Sequence, residues 1–80
     1  MYDIYSRPDC IWCLRAKELL TRKGIGFKDL DIRDNELRKD LKSKAPGIKT
    51  IPQIFRDGQR IGNYNDLVEH LKDSQLNINK

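Results

Sequence analysis

The chain contains few cysteines and no long hydrophobic run, and each shortage excludes a class of protein. Its 80 residues include only two cysteines, which excludes a secreted scaffold held by several disulfides. No stretch approaches the roughly 18 consecutive apolar residues of a membrane helix, and the N-terminus has neither the basic segment nor the apolar run of a signal peptide. We therefore expect a single soluble domain over residues 1–80, in the reducing environment of the cytoplasm.

The chain also lacks a concentrated charge of one sign. Sixteen lysines and arginines stand against twelve acidic residues, which gives a net charge of +4. Such a surface can attract acidic peptides or nucleic acid, but no compact basic run and no nucleic-acid-binding motif is present. We interpret the charge as an ordinary solvated surface, and we expect a monomer without a nucleic-acid or membrane partner.

Hydrophobic spacing and turn residues predict seven elements in the order β-α-β-α-β-β-α. The predicted strands cover residues 2–5, 27–32, 51–55 and 59–61, and the predicted helices cover residues 10–23, residues 34–44, and a segment from a cap at Asn63 or Asn65 to about residue 72. Asp57-Gly58 predicts a tight hairpin between the last two strands. The pattern is typical of an α/β protein with a four-stranded mixed sheet and three helices, and residues 73–80 are expected to fray.

Cys10 and Cys13 lie three residues apart, at the predicted start of the first helix. This spacing places both sulfurs on one face of the helix, with Cα atoms about 5 Å apart, within the range that a disulfide accepts. Because the bridge would close a very short loop, it would stabilise the fold by only about 2 kcal/mol. We therefore interpret the pair as a redox-active dithiol rather than a structural staple.

The two cysteines are expected to have unequal roles. Free N–H groups and the positive end of the helix dipole favour the thiolate form of Cys10, and Arg7 adds positive charge. Cys13 lies one turn further into the helix and is predicted to be the more buried, resolving thiol. Cys10 would then attack a substrate disulfide, and Cys13 or another thiol would displace the mixed disulfide. Trp12 is expected to form an exposed apolar wall beside the reactive sulfur.

Two other uses of the cysteines are less consistent with the sequence. A zinc site needs about four ligands, and beyond the cysteines the chain offers only His70 and carboxylates. His70 is expected to face solvent on the last helix. A pair of inert core cysteines conflicts with the exposed turn that Arg7-Pro8-Asp9 predicts. We expect no metal site.

Four motifs together resemble those of the glutaredoxins, over nearly the full length from Tyr2 to about Lys72. They are Cys10-Ile11-Trp12-Cys13, Arg-Ala-Lys-x-Leu-Leu at residues 15–20, Thr50-Ile51-Pro52-Gln53-Ile54-Phe55, and Ile61-Gly62-Asn63-Tyr64-Asn65-Asp66-Leu67. The resemblance implies a thioredoxin-like fold and a dithiol enzyme that reduces protein disulfides and glutathione mixed disulfides. It also implies reduced glutathione as electron donor, ribonucleotide reductase as a common client, and a cis Ile51–Pro52 bond that directs the Ile51 backbone at the substrate.

The resemblance further implies a set of glutathione contacts. They are Arg7, Trp12, Lys39, Thr50, Ile51, Pro52, Tyr64 and Asn65. Arg7 would meet the glycyl carboxylate. Tyr64 and Asn65 would receive the γ-glutamyl carboxylate at the start of the last helix, where a helix N-terminus favours an anion.

The sequence departs from the usual family pattern in three places. Ile11-Trp12 replaces the common Pro-Tyr, Asn63 replaces a glycine, and Asn65 replaces an aspartate that could meet the glutamyl ammonium. Losing the proline restores an N–H and should alter the redox potential. In the family this loss sometimes accompanies a [2Fe–2S] cluster bridging a dimer. Three alternatives stay open: a cluster-binding glutaredoxin, a redoxin reduced by thioredoxin reductase, and an interaction module that needs no cysteine.

Overall fold

The computed structural model describes residues 1–78 of the chain, and side chains as far as residue 72. The elements are β1 (Tyr2–Ser6), α1 (Ile11–Arg22), β2 (Phe27–Asp31), α2 (Asn35–Lys44), β3 (Gln53–Arg56), β4 (Gln59–Gly62) and α3 (Tyr64–Ile78). The predicted element order is confirmed. The helix α3 continues past residue 72, and the final two residues lie outside the described part, so fraying over 73–80 stays a prediction. No helix within the described residues is long and apolar enough to cross a membrane.

The sheet has the strand order β2-β1-β3-β4, with β1 parallel to β2 and the other two pairs antiparallel. It is therefore the predicted four-stranded mixed sheet of a thioredoxin-like fold. Tyr5 near the end of β1 pairs with Gln53 at the start of β3. Because these two central strands run in opposite directions, the loop that follows β1 and the loop that precedes β3 lie at the same end of the sheet.

The two faces of the sheet carry separate cores, since successive side chains of a strand point to opposite faces. On one face, Ile4 and Ile54 pack with buried residues of α1 and α3: Ala16, Leu20, Leu67 and Leu71. On the other face, Tyr5 and Phe55 pack with two buried residues of the α2 region: Leu41 and Ala45. Helices α1 and α3 therefore cover one face together, and α2 covers the other.

A polar cluster fixes α2 against the sheet. Asp34 caps the helix as predicted, because its Oδ1 accepts hydrogen bonds from the N–H groups of the first turn. The hydroxyl of the buried Tyr5 donates to Asp40 and accepts from Lys44 Nζ at 2.9 Å. Burial and the hydrogen bond to Asp40 raise the pKa of Tyr5. The hydroxyl therefore remains a hydrogen-bond donor at neutral pH.

The turns on either side of β4 follow the chemistry of their residues. Asp57 and Gly58 have φ angles of 51° and 85°, as the predicted two-residue hairpin turn requires. At the start of α3, Asn63 Oδ1 accepts from the Asp66 N–H, and Asp66 Oδ2 accepts from the Asn63 N–H, both at 3.0 Å. The sequence predicts a cap at Asn63 or Asn65, and the structure shows that Asn63 is the cap. A side chain at Gly62 would collide with Asp66.

Candidate active site

Cys10 is the N-cap of α1, and its sulfur occupies the place of a capping oxygen. Its backbone is extended, with φ −107° and ψ 113°, and its Sγ accepts a hydrogen bond from the Cys13 N–H at 3.2 Å. The first turn of α1 contains no acidic residue. The positive end of the helix dipole therefore acts on the Cys10 sulfur without an opposing carboxylate in that turn.

Cys13 lies one turn further along α1 and is completely buried, whereas Cys10 is partly exposed. Burial raises the pKa of the Cys13 thiol to about 12, and its hydrogen bond with Cys10 acts in the same direction. Cys13 is therefore a protonated thiol at neutral pH, while Cys10 is the sulfur that a substrate can reach. The burial of the two cysteines differs in the predicted direction.

Hydrogen bonds and an ion pair on Asp29 connect the elements on either side of the active-site loop. Ser6, at the end of β1, donates to Asp29 Oδ1 at 2.6 Å, and Lys17 of α1 donates to Asp29 Oδ2 at 2.9 Å. Burial raises the pKa of Asp29, but the hydrogen bonds from Ser6 and Lys17 outweigh it and hold the pKa below its usual value. The carboxylate thus joins β1, β2 and α1 close to the point where the chain turns into the Cys10 loop.

A cavity of about 200 Å³ lies between the first turn of α1, the loop before β3 and the start of α3. Its lining is Trp12, Thr50, Ile51, Pro52, Asn63, Tyr64 and Asn65. The Ile51–Pro52 bond is cis, as the resemblance implies. Six of the eight predicted glutathione contacts therefore line one cavity next to the dithiol, although they come from three separate segments of the chain.

Trp12 forms the exposed wall that was predicted, and its ring lies against two neighbours. The side chain is 51% exposed. Its ring centroid is 5.4 Å from that of Tyr64, and the Arg15 guanidinium lies 5.1 Å from the Trp12 ring centroid. These contacts hold the indole against α3, and about half of the side chain remains exposed.

Two predicted contacts do not line this cavity. Arg7 lines a second cavity of about 300 Å³, which includes Cys10 and Leu14, and its Nε lies 3.4 Å from Asp9 Oδ1. Lys39 is exposed on α2, the helix on the opposite face of the sheet from α1 and α3, and lines neither cavity. Conversely, Asn63 lines the cavity but was predicted only as a possible helix cap. Its position beside Tyr64 and Asn65 was the signal that could have identified it as a lining residue.

His70 differs from its predicted position. It is only partly exposed, and its Nε2 lies 3.2 Å from the Tyr2 hydroxyl, at hydrogen-bonding distance. The Tyr2 and His70 rings also meet edge to face, with centroids 6.2 Å apart. In the part of the chain that the structure describes, no three histidine, cysteine or acidic side chains lie close enough together to hold a metal ion.

Comparison with known proteins places these features in one family. A glutaredoxin family model matches residues 3–61. Glutaredoxin 3 of Escherichia coli strain K12 is 43% identical over 65 residues, which cover 81% of this chain and 78% of that protein. The solution structure of glutaredoxin from Brucella melitensis is 38% identical, with a TM-score of 0.74 over 95% of this chain and 83% of the other.

A more distant structure, the buckwheat glutaredoxin–glutathione complex, shares the fold at 22% identity, with a TM-score of 0.77 over 94% of this chain and 71% of that one. The segment that matches the family model contains both cysteines and the cis-proline loop. The chain therefore belongs to the glutaredoxin family and is a thiol–disulfide oxidoreductase with a Cys10/Cys13 dithiol.

Proposed function

We propose that this chain uses glutathione to reduce protein disulfides and glutathione mixed disulfides, with Cys10 as nucleophile and Cys13 as resolving thiol. The observation that carries the proposal is the cavity beside the dithiol, with its aromatic wall, cis-proline loop and helix N-terminus. The buckwheat relative, crystallised with glutathione, supports this choice of ligand.

The cavity has chemistry suited to a peptide that carries a carboxylate at one end. Backbone N–H groups at the start of α3 and the side chains of Asn63 and Asn65 offer hydrogen bonds to the γ-glutamyl carboxylate. The Ile51 backbone would pair with the cysteinyl residue, whose sulfur then lies toward Cys10. Arg7 and Lys39 remain predicted contacts.

The reaction with a glutathionylated protein needs only Cys10. Its thiolate attacks the glutathione sulfur, the S–S bond breaks, and the protein thiolate leaves and takes up a proton. A second glutathione thiolate then attacks the glutathione sulfur of the Cys10 adduct and releases glutathione disulfide. The net reaction consumes one free glutathione, whose sulfur joins the glutathionyl group taken from the substrate, and it releases the protein thiol and returns Cys10 to its reduced form.

The reaction with a protein disulfide needs both cysteines. Cys10 attacks one sulfur and forms a mixed disulfide with the substrate. Cys13 then loses its proton and attacks Cys10, which releases the reduced substrate and leaves a Cys10–Cys13 disulfide. Two glutathione molecules restore the dithiol. The high pKa of Cys13 delays its attack until its proton is removed, so the buried thiol does not compete with Cys10 for substrate.

Turnover with purified electron donors tests this proposal. With glutathione, glutathione reductase and NADPH, we expect the wild-type chain to reduce both a glutathionylated peptide and a protein disulfide. Cys10→Ser should lose both activities. Cys13→Ser should keep the first and lose the second, because only the second needs a resolving thiol.

Other outcomes would point to the alternatives. Turnover with thioredoxin reductase and none with glutathione would contradict the proposal, and so would full function in Cys10→Ser. A coloured dimer after anaerobic reconstitution with iron and sulfide would favour the cluster-binding alternative. A cytoplasmic location and a monomeric state stay predictions from the sequence, and ribonucleotide reductase as a client stays an implication of the resemblance.

A further inference from the structure

A chain of hydrogen bonds connects the cis-proline loop to a surface arginine that does not line the cavity. Arg60 of β4 donates through Nε to Gln53 Oε1 at 3.0 Å. Gln53 Nε2 then donates to the Thr50 carbonyl oxygen at 3.0 Å and lies 3.3 Å from Thr50 Oγ1. Gln53 is only 1% exposed, so its amide is a buried polar group with partners on both sides.

The orientation of the Gln53 amide is fixed by its two partners, the Arg60 guanidinium and the Thr50 carbonyl. The Nε of Arg60 can only donate, so the oxygen of the Gln53 amide must face it. The Thr50 carbonyl can only accept, so the amide nitrogen must face Thr50. A flipped amide would place donor against donor and acceptor against acceptor. The positive charge of Arg60 also strengthens the bond that holds the amide in this orientation.

The orientation of the Gln53 side-chain amide determines which way the Thr50–Ile51 peptide group faces. The Thr50–Ile51 peptide bond is trans, since the cis bond of this loop is the following one. In a planar trans peptide, the C=O and N–H groups point in opposite directions. Because the Thr50 carbonyl is held toward Gln53, the Ile51 N–H points away from Gln53, and Ile51 is one of the residues that line the cavity.

We infer that Arg60 is a positioning residue for the active site, which acts through Gln53 to present the Ile51 N–H to the backbone of a bound peptide. The inference rests on the proposed function, because it names the group that would pair with the cysteinyl residue of glutathione. Without Arg60, the Gln53 amide has no fixed partner on one side and can rotate. The Thr50–Ile51 peptide then loses the bond that sets its direction.

Two variants interrupt the series of hydrogen bonds from Arg60 through Gln53 to Thr50 at different points, and a third variant serves as control. Arg60→Leu removes the surface donor. Gln53→Glu keeps the shape and the bond with Arg60, but a carboxylate cannot donate to the Thr50 carbonyl. Arg56→Leu removes a guanidinium from β3, the strand that pairs with the strand of Arg60. This guanidinium lies 5.8 Å from the Tyr2 ring centroid and takes no part in the hydrogen bonds of Gln53.

Steady-state kinetics with a glutathionylated peptide give the first readout. We expect KM to rise about tenfold in Gln53→Glu, and by a smaller factor in Arg60→Leu, because one positioned hydrogen bond is lost or weakened. The kcat and the rate at which iodoacetamide alkylates Cys10 should stay at wild-type values, since the dithiol is untouched. Arg56→Leu should match the wild type. A general loss of structure would instead change KM, kcat and alkylation together.

Nuclear magnetic resonance of the ligand-free protein gives the second readout. The Thr50 carbonyl carbon and the Ile51 amide should shift in Arg60→Leu and Gln53→Glu, and not in Arg56→Leu. Because Arg60 is exposed, its variant is expected to fold even if Gln53→Glu does not. If wild-type turnover with glutathione is absent, the proposed function fails, while these resonances still decide whether Arg60 positions the loop.

Three results would overturn the inference. The first is an Arg60→Leu protein with unchanged loop resonances. The second, in a wild type that turns over with glutathione, is an Arg60→Leu protein with unchanged KM. The third is an equal rise of KM in Arg56→Leu, which would assign the effect to the lost surface charge rather than to the loop.

Discussion

The difference between the two cysteines arises from burial as well as from their order along the helix. Cys10 caps α1 and is partly exposed, whereas Cys13 is fully buried. Burial raises the pKa of Cys13 to about 12. Although the two cysteines are only one helical turn apart, the Cys10 sulfur is accessible to substrate. The Cys13 sulfur reacts only after Cys10 has formed a mixed disulfide.

The raised pKa of Cys13 has a consequence for stability at high pH. Its ordinary value is 9.0, and in the folded protein it is about 12, so the fold favours the thiol. This contribution is complete below pH 9 and is lost as the pH rises toward 12. We expect wild-type stability to fall with pH in this range more steeply than that of Cys13→Ala, by up to about 1.4 kcal/mol per pH unit.

Urea denaturation at pH 8 and at pH 10.5, in the presence of a reductant, measures this difference. The raised pKa of Tyr5 contributes to the slope in both proteins, so the comparison isolates Cys13. Equal slopes for wild type and Cys13→Ala would show that burial does not disfavour the Cys13 thiolate.

Individual site residues were predictable where a local motif specifies them. Trp12, the Thr50–Pro52 loop and the Tyr64-Asn65 pair line the same cavity, as the motifs indicate. The two-residue turn at Asp57-Gly58 places Arg60 opposite Phe55, which shares a face of β3 with Gln53. The bond between Arg60 and Gln53 was nevertheless not predicted, because the register does not specify whether a long arginine side chain reaches across the strands or extends into solvent.

At the scale of elements, the start of α3 serves both stability and the site. Asn63 caps the helix through its bond to the Asp66 N–H and also lines the cavity. Replacing it with alanine leaves that N–H without its capping oxygen. We expect Asn63→Ala to lower the free energy of unfolding by about 1 kcal/mol.

The neighbouring asparagine provides the control for this prediction. Asn65 is exposed, lines the same cavity, and is not the cap of α3. Asn65→Ala should therefore leave the urea midpoint close to that of the wild type. Equal losses of stability in the two variants would contradict the assignment of Asn63 as the cap.

Helix placement explains why one predicted contact is not at the cavity. The sequence predicts where α2 begins and ends, and Asp34 caps it as expected. Its position relative to the site depends on which face of the sheet it covers. Tyr5 and Phe55 hold α2 on the face opposite α1 and α3, so Lys39 does not join Trp12 and Tyr64 in lining the cavity.

At the scale of the whole molecule, the sequence predicts the order of elements better than their arrangement. Turn residues such as Asp57-Gly58 act locally, and the connection through a helix makes β1 and β2 parallel. The antiparallel pairing of β1 with β3 joins segments about 50 residues apart and has no local signal. Yet this pairing brings the Cys10 loop and the cis-proline loop to the same end of the sheet.

The central claim is that Cys10 accepts a glutathionyl group, and the Cys13→Ser variant tests it most directly. Incubated with glutathione disulfide, this variant has no second thiol to remove the adduct. Intact mass and peptide mapping should show a single glutathionyl group, located on Cys10. The Cys10→Ser variant, whose Cys13 is buried, should remain unmodified while folded. No adduct on Cys10, or an equal adduct on Cys13 in the folded Cys10→Ser protein, would contradict the account.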